Sequence, residues 1–290
     1  MLFNDDGKII LYDGAIGTML QKKGLKPGDM PDLMNISSPG IVEEVLRLYI
    51  EAGSDIICTN TFGANAFALR NTGFTPDEII SSGVKIARQA ISNASIDDSK
   101  RKNIKIAGDI GPIGQLLEPF GDMELDEAIT IFKEQATAFE KAGADFIALE
   151  TMGDLNEMGA AIKAVKENTN LPILATMTFD KTGRTFMGVD VKSFIDLAEE
   201  SGVTAIGMNC SLEPKEMFPV AKEFARIANL PLIFKLNAGL PDGTTGSYTV
   251  GPEEYAQQLL PYVELGMKIA GGCCGTSPEY IAELRRLFRI

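Results

Sequence analysis

The 290-residue chain contains no histidine and no tryptophan. The missing histidine excludes Ser-His-Asp and Cys-His catalysis, His-bearing zinc sites and any imidazole acid–base step. Protein-borne chemistry is left to thiolates, carboxylates, lysine, tyrosine and the backbone. Cysteine is scarce as well. Four cysteines, unevenly spaced, are too few for a secreted disulfide framework. In a reducing compartment, clustered cysteine points instead to metal binding or catalysis. No apolar run is long enough to span a bilayer and residues 1–7 lack signal-peptide character, so the expectation is a cytoplasmic protein. Positive charge is also short. With 27 Lys and Arg against 40 Asp and Glu, the net charge is −13, which argues against nucleic acid or an anionic membrane as a partner.

What is present is a regular alternation. Short apolar runs at residues 9–13, 55–61, 105–109, 145–150, 172–178, 204–210, 231–237 and 267–271 read as strands buried on both faces. Between and after them, residues 41–52, 76–92, 125–142, 155–168, 191–201, 214–228, 252–265 and 278–288 carry apolar residues at helical spacing. Gly53, Gly143, Gly202 and Gly266 follow helix ends, and Pro76, Pro214, Pro252 and Pro278 open first turns. Eight strand–helix units in this length predict an α/β fold, a (β/α)8 TIM barrel, as a single domain over residues 1–290. A doubly wound sheet is the alternative, but no Gly-x-Gly-x-x-Gly loop follows the first strand.

Barrel active sites lie at the C-terminal ends of the strands. Those ends gather Asp13, Asn60, Asp109, Glu150, Thr176, Cys210, Asn237, Cys273 and Cys274 on one rim. Cys58, inside a strand, reads as packing. Cys273 and Cys274 are open to a vicinal disulfide or to packing. Together with Cys210, though, they suggest a thiolate-rich site for a soft metal, zinc first, with a fourth position left for water, a weak protein oxygen or a substrate thiol. Asp13 is either a turn residue or a site residue. The backbone of the turn from Gly14 to Thr18 is either a tight connection or a carboxylate cradle. Glu150, if it faces the rim, suits an ammonium group. Lys235, inside a strand, raises a Schiff-base aldolase reading, which lacks the accompanying phosphate loop.

Asp13-Gly-Ala-Ile-Gly-Thr18, Thr59-Asn-Thr-Phe-Gly63, Gly108-Asp-Ile-Gly-Pro112, Met208-Asn-Cys210, Asn237-Ala-Gly239 and Gly271-Gly-Cys-Cys-Gly-Thr276 resemble, in order, the motifs of the homocysteine S-methyltransferase family. The likeness runs from about residue 8 to 288 and is nearest the cobalamin-dependent methionine synthase branch. The resemblance implies a zinc barrel that transfers a methyl group to the homocysteine thiol, with no protein acid or base at the sulfur. It implies Cys210, Cys273 and Cys274 as zinc ligands, Asn237 beside the metal, Glu150 on the substrate amino group, and Gly17 and Thr18 on its carboxylate, with Asp13 next to that pocket. It implies a methylcorrinoid, methylcobalamin on a separate protein or module, as donor. S-methylmethionine, S-adenosylmethionine, betaine and a non-catalytic zinc- and homocysteine-binding subunit are the alternatives. Folate, cobalamin and reactivation modules of a full methionine synthase are not represented in this sequence. Tyr280 and Thr176 depart from the pattern, standing where some relatives carry histidine.

Overall fold

The computed structural model describes residues 8–243 and 246–288. Eight parallel strands run β1 (Ile10–Leu11), β2 (Ile56–Cys58), β3 (Lys105–Ile110), β4 (Phe146–Met152), β5 (Ile173–Met177), β6 (Ala205–Cys210), β7 (Leu232–Leu236) and β8 (Met267–Gly272). Their order in the sheet is β1-β8-β7-β6-β5-β4-β3-β2, every neighbour being parallel. The principal helices that follow them in turn are Pro39–Ala52, Pro76–Asn93, Leu125–Ala142, Leu155–Asn168, Val191–Ser201, Pro214–Ile227, Pro252–Glu264 and Pro278–Phe288. This is the (β/α)8 barrel expected from the alternation. Among the described residues no helix is long and apolar enough to cross a membrane.

Between β1 and β2 the barrel closes without a ladder. The Asp55 N–H donates to the Leu11 carbonyl at 2.7 Å, and the Leu11 N–H donates to Asp55 Oδ2 at 2.9 Å. The same latch recurs between β3 and β4, where the Asp145 N–H donates to the Ile106 carbonyl at 2.9 Å and the Ile106 N–H to Asp145 Oδ2 at 2.8 Å. Each latch follows a helix that ends in Ala-Gly, the glycine being left-handed at Gly53 and Gly143. Only glycine adopts that backbone freely, so the chain turns from helix to strand in three residues.

Strand side chains alternate between two faces. The outward face packs on the helices, with Leu11, Ile57, Phe132, Phe139 and Phe224 in one continuous core. The inward face forms a second apolar layer of Tyr12, Ile56, Ala107, Phe146, Ala148, Leu174, Ala205, Ile233 and Ile269, with Cys58 among them. One inward step further along the strands the side chains turn polar, at Asp109, Glu150 and Lys235. The apolar layer thus floors the barrel, and charge is held above it towards the C-terminal ends.

Five strands are shorter than the apolar runs, most of all β1 and β2, while β3, β4 and β8 extend past theirs by a residue or two. Several elements carry no strong periodicity and were not foreseen: the helices Ile16–Lys22, Met34–Ser37, Ala66–Leu69 and Asp98–Arg101, and the 3-10 turn Pro31–Leu33. The stretch from Gly14 to Thr18, expected as a turn, is therefore partly helix.

Candidate active site

A cavity of about 510 Å³ opens at the C-terminal ends of the strands, its lining including Asp13, Gly17, Thr18, Glu150, Lys235 and all three rim cysteines. Two groups of side chains define it.

The first is the thiol group. The sulfurs of Cys210, Cys273 and Cys274 lie within 4.8 Å of one another, and Cys210 Sγ is 3.9 Å from Cys274 Sγ. Hydrogen bonds from Cys273 and Cys274 pull the Cys210 thiol down to about 3, while that same partnership with Cys210 pushes Cys274 up to about 11. The three sulfurs are thus close enough to share protons, Cys210 being the one favoured as thiolate. Cys210, Cys273 and Cys274 would hold a soft divalent cation, whose charge would take the place of the shared protons. Asn237 adds an amide. Its Nδ2 donates to the Ser211 carbonyl at 2.7 Å, its side chain also hydrogen-bonds Cys210, and its Oδ1 is buried without a partner. Three thiolates and one orphaned amide oxygen fit zinc in ligand type and number.

The backbone builds this group under strain. Thr151, Cys210 and Ser211 have φ of 62°, 61° and 67°, and among the described residues they are the only non-glycines with positive φ. Such residues cost energy and gather at functional sites. The left-handed turn at Cys210 ends the alternation of β6 and brings its sulfur to Cys274. The Cys273–Thr276 turn is pinned by the Thr276 hydroxyl on the Cys273 carbonyl at 2.7 Å and by Tyr49 on the Thr276 carbonyl at 2.8 Å. Glycine is needed there. A Cβ at Gly272 would lie 2.1 Å from Thr276 Oγ1, and one at Gly275, whose φ is 87°, 2.2 Å from the Tyr248 ring.

The second group is charged and lies deeper. Lys235 Nζ is 2.6 Å from Glu150 Oε2, 3.8 Å from Cys58 Sγ and 4.0 Å from the centre of the Tyr12 ring. Desolvation opposes charge on Lys235, but its neighbours outweigh it and its pKa lies well above the usual range. Burial pushes the Cys58 thiol up, so Glu150 is the partner that holds the ammonium. A buried lysine paired to Glu150 at 2.6 Å is a poor Schiff-base nucleophile, and nothing in the site supports the aldolase reading. Cys58 is buried, as the packing reading requires, but it faces Lys235 across the polar layer as well.

The other expected positions divide. Asp13 lines the cavity, yet its Oδ2 accepts the Cys58 N–H at 2.7 Å, and burial raises its carboxyl to about 7. Gly17 and Thr18 sit in the first turn of Ile16–Lys22, ahead of the first helical hydrogen bond from Met19 to Ala15, so their N–H groups precede the ladder. The Thr18 hydroxyl accepts from the Gly275 N–H at 3.2 Å. Asn60 donates to the Pro31 carbonyl at 2.7 Å and serves the scaffold. Tyr280 donates to the Val250 carbonyl at 2.7 Å, and Thr176 to Asn209 Oδ1 at 2.9 Å. Two positions were given no role of their own in the sequence reading. Asn209 accepts the Thr151 N–H at 2.8 Å and donates to its hydroxyl at 2.7 Å, which fixes the strained residue next to Glu150. Asp32, buried in the Pro31–Leu33 turn, lines the cavity and accepts the Gly63 N–H at 2.9 Å. Neither follows from pattern, because each depends on a loop path.

Fold and site together define a barrel enzyme with three thiols gathered at its mouth. The chain belongs to the homocysteine S-methyltransferase family, whose model matches residues 10–288. Members of this family are methyltransferases acting on homocysteine. The chain is 31% identical over 293 residues to a methionine synthase of Mycobacterium leprae and 32% identical to that of Mycobacterium tuberculosis, covering 96% of this chain in each case. It spans 24% of the length of each of those relatives. In fold it is similar to the metallated homocysteine methyltransferase MmuM of Escherichia coli, with a TM-score of 0.83, 22% identity and 97% of each chain covered.

Proposed function

We propose that this barrel binds homocysteine and catalyses methyl transfer to its sulfur from a methylcorrinoid, giving methionine. The carrying observation is the pairing of a three-thiol group with a carboxylate-lined pocket in one cavity, matching the two ends of an amino-acid thiol. Cys210, Cys273 and Cys274 would hold zinc, with Asn237 Oδ1 beside it. Bound there, zinc supplies Lewis acidity that lowers the pKa of a substrate thiol. Each unit of lowering is worth about 1.4 kcal/mol in favour of the thiolate. The chain's own residues bind and orient. The N–H groups of Gly17 and Thr18 suit the substrate carboxylate, and Glu150 suits its ammonium. No side chain is asked to move a proton at the sulfur, in keeping with the absence of histidine.

A donor carried by another protein or module is favoured by the rim. Phe62, Leu116, Phe120, Phe186 and Leu240 are exposed, Phe186 to 93%, on loops after β2, β3, β5 and β7, at the end where the cavity opens. Exposed apolar side chains gathered on one end suit a macromolecular partner better than a small sulfonium ion. A corrinoid protein, or further methionine synthase modules, and a cytoplasmic setting belong to this reading.

The test is methionine formation from homocysteine by the zinc-loaded protein, with methylcobalamin set against S-methylmethionine. Turnover with methylcobalamin is the expected outcome. Turnover only with S-methylmethionine would move the donor to the sulfonium class. Tight zinc and no turnover with either, even with a corrinoid protein added, would leave a binding subunit.

A further inference from the structure

Glu150 and Cys210 serve different ends of the cavity's ligand, and they come from strands that are not neighbours. β5 lies between β4 and β6. At both places the chain turns through a left-handed residue, Thr151 at φ 62° and Cys210 at φ 61°. The β4–β5 pairing also slips between Leu149 and Met152, around Glu150 and Thr151. Such irregularities aim side chains beside a site, and a β-branched residue stays left-handed only where its surroundings force it. Here the force comes from one side chain. Asn209, the residue before Cys210, is fully buried and does not line the cavity. Its amide crosses β5 to reach β4. Oδ1 accepts the Thr151 N–H at 2.8 Å and the Thr176 hydroxyl of β5 at 2.9 Å, and Nδ2 donates to the Thr151 hydroxyl at 2.7 Å. The Asn209 carbonyl accepts from the Thr178 hydroxyl at 3.2 Å. A buried amide gives up such bonds only at a cost, so the three strand ends are tied to one another.

We propose that Asn209 is a positioning residue that sets the reach from Glu150 to the thiol group, and through it the preference for a four-carbon thiol amino acid over the three-carbon one. Homocysteine and cysteine differ by a single methylene. A site that grips both ends tells them apart only if the two grips keep their separation. A site able to close by one carbon–carbon step would take either. Asn209 ties the backbone next to one grip to the residue next to the other, across the intervening strand. It acts through Thr151 and Cys210 rather than on the substrate. The clamp also accounts for a threonine standing in a conformation that glycine would adopt without help.

This rests on homocysteine being the thiol substrate. The experiment is calorimetric titration of the zinc-loaded protein with L-homocysteine and with L-cysteine, with zinc content read in parallel. Wild type should favour homocysteine by at least about tenfold, the usual worth of one methylene in a fitted site. Asn209→Ala should lose most of that preference. Asn209→Asp, which can still accept from the Thr151 N–H and hydroxyl, should keep it. Adding Thr151→Gly to Asn209→Ala should restore much of it, because glycine holds a left-handed backbone without a clamp. Asn209→Ser, too short to cross β5, stands in should Asn209→Ala not fold, with the same expected loss. Retention of the preference in Asn209→Ala would overturn the proposal. Equal weakening of both thiols would make Asn209 merely structural and overturn it too, as would a loss with no recovery in the double variant. A wild type that binds both thiols equally would sink the proposal and leave the function standing. A wild type that binds neither would overturn the homocysteine reading itself.

Discussion

At the scale of single residues the four cysteines are not equivalent. Cys210→Ser, Cys273→Ser and Cys274→Ser should each sharply reduce zinc retention, and Cys58→Ser should leave it intact, as read by metal content after dialysis against a chelator. Equal retention in all four would remove the metal site. Glu157 offers a different test. Burial raises its carboxyl to about 7, against the lowering effect of the Ile113 N–H that it accepts at 2.8 Å. Below the unfolded pKa both states hold the proton and nothing is lost. As pH rises towards 7 the unfolded chain releases it and the folded chain does not, so stability falls across that window and is flat above it. Glu157→Gln should therefore gain on wild type between about pH 4.5 and 7, by on the order of 3 kcal/mol at the end, measured by urea unfolding. Residue types were legible in the sequence where chemistry is narrow, as with thiols beside glycine. Partners were not. Nothing in the spacing of Cys58, Asp109, Glu150 and Lys235 says that all four face inward, because that depends on the parity of four separate strands.

At the scale of elements, helices were read closely, and strand ends departed most at β1 and β2. Leu125–Ala142, Leu155–Asn168, Val191–Ser201 and Pro278–Phe288 fall where the periodicity placed them, because an amphipathic face repeats over several turns and a glycine or proline marks its limits. Strand runs carry no such limit. Residues 55–61 look uniformly strand-like, yet pairing stops at Cys58, where Thr59 and Thr61 begin to bond each other and the neighbouring backbone. The latch at Asp55 was equally hidden, since nothing within the run 55–61 sets its carboxylate apart from the strand it opens. Asp55→Ala strips the acceptor from the buried Leu11 N–H and should cost about 1–3 kcal/mol in urea unfolding, without loss of bound zinc. No change in midpoint would mean that the β1–β2 seam is held by something else.

At the scale of the whole molecule, the two latches bear on the order in which the barrel is assembled. β1 has its ladder partner, β8, at the far end of the chain, so that pairing waits for nearly all of the sequence. Contacts so distant in sequence form late and slowly. Asp55 is different. It grips Leu11 from 44 positions away, and Asp145 grips Ile106 from 39. A chain emerging from the ribosome can therefore close β1 on β2, and later β3 on β4, as two local strand–helix–strand units long before the last strand exists. The first strand is kept in register by a carboxylate while it waits for its permanent neighbour. The barrel then becomes a set of early-clasped pairs, finished when the segment bearing Cys273 and Cys274 arrives to seal the ring and complete the thiol site in the same step.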